Sequence, residues 1–216
     1  MKVQVGNKTL TISKWKGKNK KEFIKCINEN NQTSQVDNDS KIKDILVYSC
    51  INEDVILTPD EFRYMLSRIR AYSLGEDITI DFYCPKCGET FEKIFQIKDI
   101  IKPEYKKLTE IKVDDLCIKI GDIKNKDIFY EKIKEDNIYE LLFKVKSFND
   151  NDTFNLEELE ELFDSLDIDI LEKVLEIYEE HRFKIDDINS VECECGNTMI
   201  FEFDELPGFF PENWFE

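Results

Sequence analysis

The chain has 216 residues, of which 41% are apolar and 16 are phenylalanines, so it is long enough to bury a sizeable core as one large domain or two small ones. Its formal net charge is -17, and an acidic surface repels a polyanion, which argues against binding to free nucleic acid. The charge is uneven, because residues 14–25 (KWKGKNKKEFIK) are basic and residues 150–180 are acidic. Each run is typical of a solvated face, and a docking surface is the alternative.

The N-terminal stretch MKVQVGNKTLTISKW lacks the continuous apolar core of a secretory signal, and no segment reaches the ~20 apolar residues of a membrane span. We therefore expect a soluble protein that is intracellular when made. A reducing compartment argues against a disulfide framework for the seven cysteines, since thiols there stay free unless a metal binds them.

The N-terminal region, residues 1–76, is predicted to combine strands and helices. A short hairpin is expected around Gly6 and Asn7, followed by two amphipathic helices, KKEFIKCINEN and SKIKDILVYSCI, with the polar loop of residues 30–39 between them. The clearest helix is TPDEFRYMLSRIRAYSLG, with Thr58 as its N-cap and Gly75 at its end. Glu61 is placed to complete a capping box. The apolar stripe of this helix consists of Phe62, Met65, Leu66 and Ile69.

The segment FYCPKCGETFEKIF, from Phe82 to Phe95, contains Cys84 and Cys87 in the spacing C-P-K-C-G of a zinc knuckle. In such a turn the glycine supplies the unusual backbone angle that lets backbone amides point at sulfur. The alternating run ETFEKIFQI that follows is typical of a strand with one buried side.

The middle of the chain, residues 99–186, is predicted to be an inserted, mostly helical and acidic region. The segment LTEIKVDDLCIKIGDI predicts a strand, a turn and a second strand. Helical patterns follow in three segments: DIFYEKIKEDNIYELLFKV, NLEELEELFDSL and DILEKVLEIYEEHRF. The stretch from Asp150 begins like a calcium loop, but Phe154 occupies a ligand position and Asn155 the place of the turn glycine. Capping of a helix by Asn155 explains this stretch better.

The segment VECECGNTMIFEF, from Val191 to Phe203, repeats the first knuckle with a gap one residue shorter, between Cys193 and Cys195. A glycine and a threonine follow its second cysteine at the same offsets as in the first segment. Together the two segments supply four thiolates, the soft ligand set of a closed tetrahedral structural zinc site. The sequence therefore predicts a split zinc-ribbon element, residues 77–98 plus 187–204, which holds one zinc ion on Cys84, Cys87, Cys193 and Cys195.

Two other interpretations of the cysteine pairs are a redox pair and a chance pair of buried thiols. A thioredoxin-type site needs a strand, a turn and a helix, whereas Cys87 is followed by a glycine and a strand-like run. Cys26, Cys50 and Cys117 stand singly in apolar patterns, which favours packing as small hydrophobes.

The aromatic C-terminal tail, residues 205–216, places four large rings in its last eight residues: Phe209, Phe210, Trp214 and Phe215. Prolines at 207 and 211 oppose a regular helix or strand, so these rings must pack either on the chain's own core or on another protein. Polar residues alternate with the rings, as in an interface with apolar anchors and a wet rim, and this favours a partner.

Catalytic motifs are missing from the sequence: it has no nucleophile elbow, P-loop or dinucleotide fingerprint. The one histidine, His181, lies in a charged helix end, where solvent or a neighbouring carboxylate is the ordinary environment. The residues therefore predict no enzymatic site.

Five features follow one another along the chain. They are a basic, strand-rich start, the helix TPDEFRYMLSRIRAYSLGE, the adjoining ITIDFYCPKCG knuckle, the acidic NLEELEELFDSL helix and a second knuckle before ELPGFF. This order resembles the baseplate hub proteins of T-even-type contractile-tail bacteriophages. The most specific parts are Asp60–Glu76 with its neighbouring knuckle, and the terminal Gly208–Phe210.

The resemblance implies a structural or assembly role in the tail baseplate hub, without enzymatic activity. It implies partners among other phage tail or baseplate hub proteins, and a location in the host cytoplasm during assembly or in the tail baseplate of the virion. We expect neither nucleic-acid binding nor a membrane span. The sequence is compatible with a homo-oligomer. The predicted fold class is α+β, with a mixed small sheet and helices, a split zinc-ribbon-like element and a largely helical insertion.

Two alternatives to this function retain a zinc site. A zinc-ribbon transcription regulator would surround the metal with basic residues, whereas the strand after Cys195 carries Glu202, Asp204 and Glu205. A redox-switched zinc chaperone also pairs C-x-C with C-x-x-C. Such a chaperone would release zinc on oxidation and expose apolar surface, whereas a structural site would resist mild oxidant.

Overall fold

The computed structural model of the chain describes residues 1–29, 41–42, 44–123, 129, 132–133, 138–149, 151, 155–186 and 188–202. In these ranges the fold is α+β, with helices and small sheets, as predicted. The helices are α1 (Gly17–Glu29), α2 (Pro59–Leu74), α3 (Ile97–Ile100), α4 (Ile138–Leu142), α5 (Leu156–Asp164) and α6 (Ile168–His181). The strands are β1 (Lys2–Val5), β2 (Lys8–Thr11), β3 (Asp77–Tyr83), β4 (Thr90–Gln96), β5 (Lys102–Glu104), β6 (Glu110–Val113), β7 (Leu116–Ile120), β8 (Val145–Phe148), β9 (Lys184–Asp186), β10 (Ile188–Glu192) and β11 (Thr198–Glu202).

The chain divides into two compact units. The first unit comprises Met1–Glu53, Phe62–Glu104 and Ile185–Glu216, and the second comprises Asp54–Glu61 and Tyr105–Lys184. Each unit contains a hydrophobic core of its own. The four-part division predicted from the sequence stays a prediction.

The N-terminal hairpin is confirmed: β1 and β2 are antiparallel, with Val3 opposite Leu10. Gly6 in the connecting turn has a φ of 55°, which glycine adopts without steric cost. Alternation buries one side of the hairpin. Next along the chain, the indole N–H of Trp15 donates to the carbonyl oxygen of Leu46 at 2.8 Å.

The first amphipathic helix is confirmed as α1, whereas the second is shorter than predicted. Residues 41, 42 and 44–46 are helical, and a single 3₁₀ turn, Tyr48–Cys50, replaces the last helical turn. Ile51 is extended and forms a β-bridge with Ile12. Pairing with the N-terminal hairpin therefore ends the helix early. The predicted loop at residues 30–39 lies outside the described residues.

Helix α2 begins and ends as predicted. The backbone N–H of Thr58 donates to the Glu61 carboxylate at 2.9 Å, and the N–H of Glu61 lies 3.3 Å from the Thr58 hydroxyl oxygen, which completes the capping box. Met65 and Ile69 are fully buried, and the other two residues of the stripe are half-buried. Gly75, with a φ of 105°, follows the last helical residue.

We expect Thr58→Ala to lower the free energy of unfolding by ~1 kcal/mol, because the buried N–H of Glu61 loses its acceptor. Gly75→Val should cost more, since valine rarely adopts a φ of 105°. Urea unfolding measures both effects. Thr79→Ala, at an exposed position of β3, is the control and should change stability by less than about 0.5 kcal/mol. Unchanged stability in both test variants would mean that these helix ends are assigned wrongly.

One hydrophobic cluster of the first unit is built on two hairpins, β3–β4 and β10–β11. Their inward faces contribute Ile78, Ile80, Phe82 and Val191, all buried. The short helix α3 directly follows β4. The side-chain amide of Asn189 on β10 donates to the carbonyl of Ile100, the last residue of α3, at 3.0 Å. The two strands predicted after the cysteine pairs are thus confirmed as β4 and β11.

The second unit is built on the three-stranded antiparallel sheet β6–β7–β8 and helices α5 and α6. The predicted strand, turn and strand at residues 108–123 is confirmed by β6 and β7. The helix predicted for residues 127–145 is wrong at its C-terminal end, because α4 stops at Leu142 and Val145 begins strand β8. Pairing of β8 with β7 overrides the local helical pattern there. The second unit therefore mixes strands with its helices.

Helix α5 begins with the cap predicted from the sequence. The N–H of Glu158 donates to the Asn155 side chain at 2.9 Å, and the N–H of Asn155 donates back to the Glu158 carboxylate at 3.0 Å. Helix α6 is also confirmed. Across the described ranges, no helix combines the length and the apolar character needed to cross a bilayer.

Candidate metal centre

The first cysteine pair lies in the turn between β3 and β4. The N–H of Gly88 donates to the carbonyl of Cys84 at 2.8 Å, and the N–H of Cys84 donates to the carbonyl of Glu89 at 2.8 Å. Gly88 has a φ of 76°, in the left-handed region that favours glycine. The turn therefore folds back on itself and directs both cysteines to one side.

The second pair repeats this geometry between β10 and β11. The N–H of Gly196 donates to the carbonyl of Cys193 at 2.8 Å, and the N–H of Cys193 donates to the carbonyl of Asn197 at 2.9 Å. Gly196 has the same φ of 76° as the glycine of the first turn. The turn is one residue shorter but closes with the same pair of bonds, so the shorter C-x-C gap forms an equivalent knuckle.

The two turns bring the four predicted cysteines together. The Sγ atoms of Cys84 and Cys195 are 3.6 Å apart, as are those of Cys87 and Cys193, and all four Sγ atoms lie within 4.8 Å of one another. Zinc–sulfur bonds of about 2.3 Å in a tetrahedron separate the sulfurs by about 3.8 Å. The cluster therefore fits a single tetrahedral ion of the thiophilic class.

Packing beside the cluster holds the two hairpins against each other. The ring of Phe201 on β11 lies 5.2 Å from Phe82 on β3 and 5.3 Å from Phe95 on β4, measured between ring centroids. The ammonium group of Lys86 donates to the carbonyl of Cys195 at 3.3 Å. Aromatic contacts of this kind contribute beyond the area that they bury, so the thiols are positioned by the protein framework as well as by the turns.

The thiols differ in exposure and in acidity. Cys84 and Cys193 are buried, Cys195 is half-buried and Cys87 is exposed. The backbone N–H of Cys87 is the main cause that lowers the pKa of Cys84 to about 6. The N–H of Cys195 acts in the same direction on Cys193, but burial and the neighbouring thiols outweigh it and raise the pKa of Cys193 to about 12. Four thiolates repel one another, and a central cation would remove that repulsion.

The remaining residues singled out in the sequence do not join this cluster. Cys26 and Cys50 are buried and Cys117 is half-buried, which fits their predicted packing role. A ring nitrogen of His181 lies 2.8 Å from the Ile177 carbonyl at the end of α6, where a carboxylate or solvent was expected. The four predicted partner-binding aromatics, Phe209, Phe210, Trp214 and Phe215, lie outside the described residues.

A polar cluster in the second unit was not anticipated from the sequence. Glu140 on α4 is buried and accepts hydrogen bonds from the Lys144 ammonium at 2.9 Å and the Tyr178 hydroxyl at 2.7 Å. Burial is the main cause that raises the pKa of Tyr178, followed by the charge of Glu140. The i,i+4 spacing of Glu140 and Lys144 indicates an ion pair on one helix face. The neighbouring residues in the sequence do not indicate that this pair is buried.

These features define a small α+β protein in which cysteine turns from two distant segments meet. The family model described as T4 bacteriophage base plate protein matches residues 1–211, and the chain belongs to that family. It is therefore a structural protein of the phage baseplate, and the family implies a place in the virion tail. No curated protein and no solved structure matches the chain significantly.

Proposed function

We propose that the protein helps to build the baseplate hub by binding other tail proteins, and that one structural zinc ion on Cys84, Cys87, Cys193 and Cys195 stabilises the fold. The observation that carries the zinc proposal is the convergence of four thiols from two distant turns, whose two 3.6 Å sulfur pairs join residues 106 and 111 positions apart in the chain. In this proposal the two hairpins form a split zinc ribbon. The proposed baseplate role rests on the chain's membership of the base plate protein family.

Four thiolates suit a structural role for the metal better than a catalytic one. Catalytic zinc sites have three protein ligands and an open position for water or substrate, whereas a set of four cysteines closes the tetrahedron. Bound there, zinc would supply four strong bonds to sulfur and a positive charge that offsets the thiolates. The residues of this chain would fix where those bonds form, through the two matching turns. We accordingly propose that the protein has no enzymatic activity.

Metal analysis tests the zinc site directly. We expect the purified full-length protein to contain close to one equivalent of zinc, and Cys84→Ser and Cys195→Ser to lose it to a similar extent, since each half-site supplies two of the four ligands. Cys117→Ser is the matched control and should retain the metal, because Cys117 lies on β7 outside the cluster. Loss on Cys84→Ser alone would reject a shared site, and a well-folded protein without metal would reject zinc altogether.

The aromatic tail is the part of the chain that we propose for partner binding. The sequence places Phe209, Phe210, Trp214 and Phe215 among prolines and polar residues, and large rings of this kind anchor many protein interfaces. Its partners would be other tail or hub proteins, met in the host cytoplasm during assembly. A second copy of this chain is a further candidate partner.

Deletion of Phe209–Glu216 distinguishes binding of a partner from packing on the chain itself. We expect loss of baseplate assembly with an unchanged melting temperature of the isolated protein, because the rings would then contact another chain. Glu212→Gln is a control within the same segment and should preserve assembly. A large drop in the melting temperature of the deletion variant would show that the tail packs on its own core, and the partner proposal would then be abandoned.

A further inference from the structure

The β3–β4 hairpin has an exposed side opposite the one that carries its buried residues. Asp81 on β3 and Glu92 on β4 lie directly opposite each other on that exposed side. Like charges at opposed positions of an antiparallel pair are destabilising. Within the described ranges, neither carboxylate takes part in a salt bridge. We name this side of the hairpin the acidic face, and a cation that covered it would relieve the repulsion.

Large apolar side chains flank this acidic pair along the strands. Tyr83 is 65% exposed and Ile94 is 61% exposed, and each lies two residues beyond one of the carboxylates, on the same side of the hairpin. A cleft of about 260 Å³ beside Glu92 adds three more glutamates: Glu89, Glu192 and Glu194. Lys93 is the cation among the residues that line this cleft. Exposed apolar anchors among uncompensated carboxylates fit an interface with a cationic surface.

The opposite charge is concentrated around the start of α1. Four exposed lysines lie there: Lys14, Lys16, Lys18 and Lys21. The first turn of α1 contains no acidic residue, although the N-terminus of a helix carries a partial positive charge that favours carboxylates. The Lys14 ammonium lies 4.9 Å from the centroid of the exposed Tyr72 ring. These lysines, with the ring beside them, form what we name the basic face.

The acidic face and the basic face are complementary, and both belong to the first unit. Each concentrates like charge and is locally unfavourable, so contact between them would stabilise both. We propose that copies of this protein associate head to tail, with the basic face of one copy on the acidic face of the next. Such a contact is heterologous, so an open assembly keeps one unoccupied face at each end.

The net charge of -17 opposes association over long distances. At physiological ionic strength, however, exposed charges more than about 8 Å apart are largely screened, whereas charges in direct contact are screened much less. Attraction between the two faces therefore persists where repulsion between the rest of the two surfaces is screened. This inference goes beyond the proposed function, because it assigns a surface other than the four cysteines and the aromatic tail.

Sedimentation of the full-length protein tests the proposal. At about 0.15 M salt we expect species larger than the monomer, and at about 1 M salt, where the screening length falls to about 3 Å, a shift toward the monomer. Asp81→Asn/Glu92→Gln and Lys18→Gln/Lys21→Gln should each sediment as a monomer, because each removes charge from one face. Both substitutions relieve like-charge repulsion, so both variants should stay folded, which circular dichroism measures.

An equimolar mixture of these two variants separates head-to-tail contact from other modes of association. Each variant retains the face that the other lacks, so one productive contact can form between them. We expect a dimer in the mixture and nothing larger. A mixture that stays monomeric, or one that forms larger species, would overturn the head-to-tail arrangement.

Glu172→Gln/Glu176→Gln on α6 is the matched control, because both residues are exposed and the net charge rises by the same amount as in the acidic-face variant. This control should associate as the unaltered protein does, and an equal loss would overturn the assignment. Deletion of Phe209–Glu216 should also leave association unchanged, whereas its loss would assign the contact to the tail. Unaltered protein that is monomeric at every concentration would reject this inference, while baseplate assembly and metal content still decide the proposed function.

Discussion

Cys195→Ser is expected to lower the melting temperature of the first unit sharply, relative to that of the unaltered, zinc-loaded protein. Structural zinc binding contributes on the order of 10 kcal/mol to the folded state, because the complete ligand set exists only in the folded chain. Loss of one ligand from a closed site forfeits much of that contribution. Circular dichroism in the near ultraviolet during thermal unfolding, with zinc content measured in parallel, gives the result.

A chelator provides the independent comparison for this prediction. It should lower the melting temperature of the unaltered protein, yet have little further effect on Cys195→Ser, because both treatments remove the same metal. Cys117→Ser should respond to the chelator as the unaltered protein does, since its cysteine lies outside the cluster. A chelator effect of equal size in Cys195→Ser would show that the stabilising metal binds elsewhere.

Glu140→Ala is expected to destabilise the second unit by about 3–5 kcal/mol, the range for breaking a buried ion pair on one side. The Glu140 side chain is 6% exposed and lies 2.9 Å from the ammonium of Lys144, which is itself only 12% exposed. The Arg182 guanidinium lies 3.8 Å from the other carboxylate oxygen. Alanine would leave the Lys144 charge without its partner in a buried position. Urea unfolding measures the loss.

Glu179→Ala is a matched control for this effect. Glu179 pairs with the same arginine, at 2.9 Å, but its side chain is 49% exposed. Exposed ion pairs contribute less than about 1 kcal/mol, because water screens them. Equal losses from the two alanine variants would mean that burial does not determine the contribution of Glu140. Tyr178→Phe removes the hydroxyl that donates to Glu140 and accepts from Lys144, and it should cost about 1.5–3 kcal/mol, the range for hydrogen bonds to charged groups.

The features predicted correctly from the sequence are those fixed by neighbouring residues. The N-terminal hairpin depends on a glycine turn, the start of α2 on the capping box of Thr58 and Glu61, and the start of α5 on Asn155. The cysteine cluster could be predicted although its halves are distant, because the sequence repeats the same turn pattern twice. Repetition supplied long-range information that local propensity lacks.

The features that were missed depend on contacts between distant residues. The segment ending at Ile51 was expected to stay helical, but its bridge to Ile12 draws it into an extended conformation. Val145 was assigned to a helix and instead begins a strand that pairs with β7. Both are β-branched residues in apolar runs, where helix and strand patterns look alike over a few residues. The burial of Glu140 likewise depends on Tyr178, on another helix.

The position of the two cysteine turns in the chain affects how the protein folds during synthesis. The β3–β4 hairpin, whose turn holds Cys84 and Cys87, leaves the ribosome early, and Tyr105–Lys184 of the second unit are made before Cys193 and Cys195 appear. Contacts across more than a hundred residues form slowly, since a long loop must close before they are gained. Until then the nascent chain presents only two of the four thiols. A chain that stops between the turns can form the first hairpin but not the four-thiol cluster.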